Sequence, residues 1–190
     1  MSATSAPFGL RPAFHPSGLD RAQALAGGIA SAFASNILKG QPVKYVTGGT
    51  IQPAGAGDSF AGAFAGVEFT DTTGRRRVSN FWPANTAYQA GSCIAYFYND
   101  PLIVYEIQAD GSLAQTSIGD QADLSATTAG SATTGLSQAT LSATLAGAGA
   151  SAQMRIVDIA PYPDNDWGDA YTIVRVTINE AQFQASVNAI

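Results

Sequence analysis

The chain has 190 residues, a formal net charge of −5 and 46% hydrophobic residues, but only 12% charged ones. Its single His and single Cys exclude an internal disulfide and a Cys-based zinc site and leave little for acid–base chemistry. Its nine Lys and Arg, three of them consecutive at Arg75, Arg76 and Arg77, are too few to neutralise phosphates along a groove, so no direct nucleic-acid partner is expected.

The length suits one domain with a buried core, and the balance favours a protein that packs and binds over an enzyme. No run approaches the roughly 18 apolar residues of a membrane span. The first residues lack the basic flank and apolar stretch of a signal peptide. A soluble protein made in the cytoplasm, with no membrane partner, is expected.

Residues 1–22 carry Pro7, Pro12 and Pro16 with Gly9 and Gly18, which denies helix and predicts an extended N-terminal arm. Residues 23–190 are expected to form a single β-rich domain. Ala-rich residues 23–40 are interrupted by Gly27 and Gly28, and a short helical turn is predicted at Ser35–Lys39, stopped by Gly40. A strand is predicted at 42–46. In 65–71, Val67 and Phe69 fall on one face and Glu68 and Thr70 on the other. The turn 72–77 precedes a strand at 78–82. Strands 93–98 and 102–108, split by Asn99-Asp100-Pro101, are apolar on both faces and so belong inside a sheet or between layers.

Residues 121–152 are nearly uncharged and rich in Ala, Ser, Thr and Gly. Leu124, Leu136, Leu141 and Leu145 offer anchors, so an ordered loop or weak strands are expected there. Strong strands return at 154–160 and 171–179, the latter with Val174, Val176 and Ile178 inward and Arg175 and Thr177 outward. Many short strands with Gly/Pro punctuation predict an all-β fold, a barrel or sandwich of short antiparallel strands.

Several motifs carry a chemical suggestion beside a plainer one. GAGDSFAG (55–62) resembles the GAGD signature of ribokinase-type sugar kinases, in which Gly55–Gly57 would form an anion hole and Asp58 would be the base. The preceding Asp-Thr of that signature is replaced by Gln52-Pro53, the chain is short, and an alternating strand follows. The segment is therefore expected as a loop leading into a strand. DNDWGD (164–169) places Asp164 and Asp166 as in a calcium loop, but Gly168 falls one position early. A surface turn whose carboxylates cap backbone N–H groups is expected, with a cation at Asp164 and Asp166 as the alternative. His15, near Asp20, lacks a nucleophile partner and reads as an arm contact. Cys93 reads as a buried apolar thiol. Arg75–Arg77 suit a solvated turn or a docking contact with an acidic partner surface.

An ordered set of strings resembles a family. PFGLRPAFHPSG (7–18), ASNILKGQPVKYVTGGTI (34–51), FAGVEFTDTTGRRRVSNFWPA (64–84), YNDPLIVYEIQADGSL (98–113), SIGDQADL (117–124) and PDNDWGDAYTIVRVTI (163–178) together resemble virion structural proteins of tailed bacteriophages, of the head-decoration or capsid-cement type. The resemblance implies a non-enzymatic protein without cofactor or metal on the outer surface of the head. It would bind the major capsid protein lattice and brace the shell. It would also assemble with itself, as a trimer or dimer. The residues expected at capsid or subunit contacts are Phe8, Leu10, Arg11, Phe14, His15, Arg75, Arg76 and Arg77. A low-copy tail or head–tail connector component is the alternative expectation.

Overall fold

The computed structural model describes residues 2–18 and 22–185. Within them the strands are β1 (Arg11–Phe14), β2 (Gln23–Ala26), β3 (Pro42–Tyr45), β4 (Ile51–Pro53), β5 (Gly62–Thr70), β6 (Arg76–Ser79) and β7 (Ile94–Tyr98). The second half adds β8 (Val104–Gln108), β9 (Gln121–Ser125), β10 (Gly130–Ser131), β11 (Leu136–Ser137), β12 (Thr140–Leu145), β13 (Met154–Ile159) and β14 (Ile173–Ile178). No α-helix occurs among the described residues; a single 3₁₀ turn covers Gln115–Ser117. Strands form where β-branched and aromatic residues run together, and Gly, Pro and Asx residues separate them.

The first sheet has the order β1-β8-β14-β13-β9-β12, and every neighbouring pair is antiparallel. Its inner face is built from cross-strand pairs. Val176 sits opposite Tyr105 and Ile156, and Ile178 opposite Met154. All five are buried, as are Leu124 and Leu141 further along. Each such side chain contributes roughly 1.5–3 kcal/mol relative to exposure. The sheet curls until Ala109 and Leu141 form one isolated bridge, where the Asp110 N–H donates to the Leu141 carbonyl at 2.8 Å. One bridge is not a ladder, so the barrel alternative is not realised and the architecture is that of antiparallel sheets packed as a sandwich.

The second sheet runs β2-β7-β5-β3-β4, with β6 also paired to β5. β5 is long enough to pair with β3 through Ala63 and Gly62 and with β6 through 67–70, while β7 lies along its other edge. Ala63 and Phe64 point to opposite faces, as successive strand residues must. Ala63, with Ala54 and Phe60, joins the core of the first sheet. Phe64 joins a second core of Val43, Val67, Phe69, Trp82, Ala95 and Phe97. Irregular segments that carry Ile29, Ile37 and Trp82 cover that core. Edge-to-face rings hold it, Phe69 on Trp82 at 5.3 Å and Trp82 on Tyr88 at 5.9 Å between centroids. Gly62 is required at the β5–β7 crossing, because a Cβ there would lie 1.5 Å from the Tyr98 carbonyl oxygen.

Buried amides join the parts. The Gln153 side chain accepts from Leu124 N–H at 2.9 Å and donates to the carbonyls of Gly55 and Asp58 at 2.9 and 2.6 Å. It thereby fixes the β4–β5 loop to the first sheet. Gln41 accepts from Leu38 N–H and donates to the Thr127 carbonyl. These bonds satisfy backbone groups that would otherwise be buried unpaired.

Residues 121–152, expected as an ordered loop or weak strands, hold four strands, with Leu124 and Leu141 buried. Three local expectations change. The helical turn at Ser35–Lys39 is absent, because Ile37 and Lys39 spend their backbone groups on bridges to Trp82 and Leu136. The strand expected at 78–82 is β6 at 76–79, so Arg76 and Arg77 lie on a strand and only Arg75 remains in the turn. Leu136 is 45% exposed and so does not act as an anchor.

Candidate functional site

Of the N-terminal segment expected as an extended arm, residues 2–18 are described: turns and bends occupy 2–4 and 16–18, and β1 lies between them. Ser2 is buried, donating from Oγ to the Asp164 carbonyl and to the Asp169 carboxylate, while its own carbonyl accepts from Tyr171 N–H at 2.7 Å. Gln108 of β8 holds the next stretch, accepting from Ala6 N–H at 2.8 Å and donating to the Thr4 carbonyl at 3.0 Å. Arg11–Phe14 then become the edge strand on β8, where Pro12 removes one backbone donor from the ladder.

On the outer face of this edge one carboxylate serves two guanidinium groups. Glu106 is 7% exposed. Arg11 Nη2 lies 2.6 Å from its Oε2, Arg175 Nε lies 3.6 Å from its Oε1, and the Tyr162 hydroxyl donates to Oε2. Burial pushes the Glu106 carboxyl up, but the bonds from Tyr162 and Arg11 outweigh it and the net shift is downward. The Tyr162 phenol moves up, through burial first and its hydrogen bond to Glu106 second. The arginines are also held by rings: Arg11 sits 4.6 Å from the Phe8 centroid and Arg175 sits 5.4 Å from the Phe14 centroid. Two cations sharing one anion leave a local excess of one positive charge in an acidic chain.

The expected contact residues fall into two groups. Phe8, Arg11 and Phe14 share the β1 face, with Phe14 43% exposed. Leu10 is spent on the first core and is not offered at the surface. The His15 imidazole is nearly covered. Its Nδ1 faces Ser17, and its Nε2 is 3.1 Å from Asp100 Oδ2, near enough for an ion pair but off the axis of a hydrogen bond. Asp20, near His15 in sequence, lies outside the described residues. Arg75–Arg77 sit on the second sheet's β5–β6 hairpin. Arg76 pairs with Glu68 at 2.6 Å and Arg77 with Asp71 at 2.9 Å, leaving Arg75 without an acidic partner among the described residues. Asp71 also accepts from the Thr73 hydroxyl and from the N–H groups of Thr73 and Arg75. The Thr73 hydroxyl leads the effects that hold the Asp71 carboxyl far below the usual carboxylate range.

The remaining motifs have structural occupations. Asp58 lies in the turn before β5, where its Oδ2 takes the Lys44 ammonium at 2.6 Å and the Gly55 N–H at 2.7 Å. Those bonds, the Lys44 one foremost, hold its pKa below the ordinary value. The segment enters a strand without a helix, so no helix N-terminus is present to hold phosphate. In the 164–169 loop, Asp169 accepts from Asp166 N–H, and the buried Asn165 side chain binds the Ala160 and Ile173 carbonyls and Ile173 N–H. Among the described residues no group of three or more His, Cys, Asp or Glu is placed to hold a metal ion. Cys93 is buried, and burial raises its thiol pKa. Among the described residues no helix is long and apolar enough to cross a membrane.

Sequence reasoning missed Glu106, Tyr162 and Arg175 as a cluster. The available signal was the lone acid within an apolar strand, since a buried charge requires a partner. Comparison of the chain with protein-family models, with curated proteins and with solved structures finds no match.

Proposed function

We propose that this protein is a structural component of a tailed-phage virion that binds the outside of the head and stabilises the major capsid protein lattice. The observation that carries the reading is the ordered set of sequence strings from PFGLRPAFHPSG (7–18) to PDNDWGDAYTIVRVTI (163–178). An antiparallel all-β fold, with its polar side chains engaged in structural bonds, supports it. Two surfaces are available for contact: the β1 face with Phe8, Arg11 and Phe14, and the hairpin with Arg75, Arg76 and Arg77. One would meet the shell and the other a neighbouring copy, in a dimer or trimer. Weak contacts made by several copies on a repeating lattice add by avidity, so neither surface needs to be large.

The test is an add-back measurement on heads purified without this protein. Saturating them with it is expected to raise the temperature at which packaged DNA is released. An unchanged release temperature, with the protein bound or unbound, contradicts a stabilising role.

A further inference from the structure

A cleft of about 440 Å³ opens at the seam between the two sheets, beside β1. Its walls are Phe8 and Pro12 from the N-terminal segment, Tyr98 from the end of β7, and Leu136 from β11. Leu136 is 45% exposed although it begins a strand, because the Lys39–Leu136 bridge holds its backbone at the cleft margin. The polar lining is cationic: Arg11 and Lys39 both border the cleft, and no Asp or Glu does. Lys39 is exposed, and Arg11 is half-exposed although paired with the buried Glu106, so the positive ends of both face the cleft rim. An apolar floor with positive charge at its rim is unusual in a chain of net charge −5. It fits a segment that carries carboxylates beside a large apolar side chain, with the carboxylates at the rim and the apolar group among the rings.

We infer that this cleft docks an extended acidic segment of the shell protein, which makes it the head-binding surface and leaves the Arg75–Arg77 hairpin for other contacts. The inference rests on the function proposed above. A second copy of this chain is the competing occupant.

The test is co-sedimentation of full-length protein with heads that lack it, comparing wild type with Lys39→Glu, Leu136→Asp and Ala148→Glu. Lys39 and Leu136 are exposed, and Ala148 lies in an exposed turn outside the cleft lining. Lys39→Glu and Leu136→Asp are each expected to weaken head binding at least tenfold, and Ala148→Glu to leave it within twofold. Wild-type binding should fall as salt rises. If wild type binds and both cleft variants bind equally well, the cleft assignment is overturned while the proposed function stands. If the cleft variants lose self-association in sedimentation equilibrium but keep head binding, the occupant is a second copy and the assignment is again overturned. If wild type does not bind heads at all, the proposed function fails and takes the cleft assignment with it.

Discussion

The two sheets solve the same burial problem by different means. The first curls without closing: its strands alternate, Val174, Val176, Ile178, Met154 and Ile156 face inward, and one isolated bridge joins Ala109 to Leu141. The second carries its core under loops. Its outer core of Phe64, Phe69 and Phe97 is roofed by irregular chain that carries Ile29, Ile37, Trp82 and Tyr88. An aliphatic core made by strand periodicity needs little help from loops. An aromatic core under loops depends on glycines that permit close backbone approach and on side chains that fix the roof.

The comparison breaks most readily at Gly62. Gly62→Ala places a methyl group against the Tyr98 carbonyl and is expected to cost on the order of 4–5 kcal/mol or to prevent folding, read by urea denaturation. Gln153→Leu tests the joint between the halves. It orphans Leu124 N–H and the Gly55 and Asp58 carbonyls, and a loss of about 2–3 kcal/mol is expected in the same assay. Glu106→Gln sharpens the account of the β1 face, with a loss of about 1–3 kcal/mol at neutral pH. The sign of its pH dependence follows from the net downward shift of the Glu106 pKa. A depressed carboxyl contributes stability that is complete above the ordinary value of 4.5 and is lost as pH falls through the folded value. Wild type should lose more stability than Glu106→Gln on acidification below 4.5, and parallel acid limbs would deny the cluster a stabilising role. The smallest effect is expected for Arg77→Ala. Its pair with Asp71 is solvent-exposed, and thermal unfolding should register less than about 1 kcal/mol.

What could be read in advance follows the same division. β14, β13 and the 65–71 stretch were legible because a strand buried on one face writes an alternating pattern into its residues. β7 and β8 were legible as interior strands because both faces are apolar. The roof of the second core was not, since Ile37 and Trp82 meet only through a bridge between segments distant in sequence. The hairpin register shows the limit clearly. The turn was evident from Thr-Thr-Gly, but strand pairing places Arg76 diagonal to Glu68 and takes two arginines out of the turn. At the candidate site, Phe8, Arg11 and Phe14 were expected as contacts on the N-terminal segment alone. Tyr162, Glu106 and Arg175 come from three separate elements, and only strand order brings them together. Leu10 was misjudged because a proline-rich segment gives no sign of which apolar residue turns inward.

The central claim is occupancy of the head surface, and copy number tests it most directly. On the function proposed above, quantitative mass spectrometry of purified virions should find this protein at the same order of abundance as the major capsid protein. A handful of copies per particle would contradict head decoration and assign the chain to the tail or connector, and absence from the particle would overturn a virion role altogether.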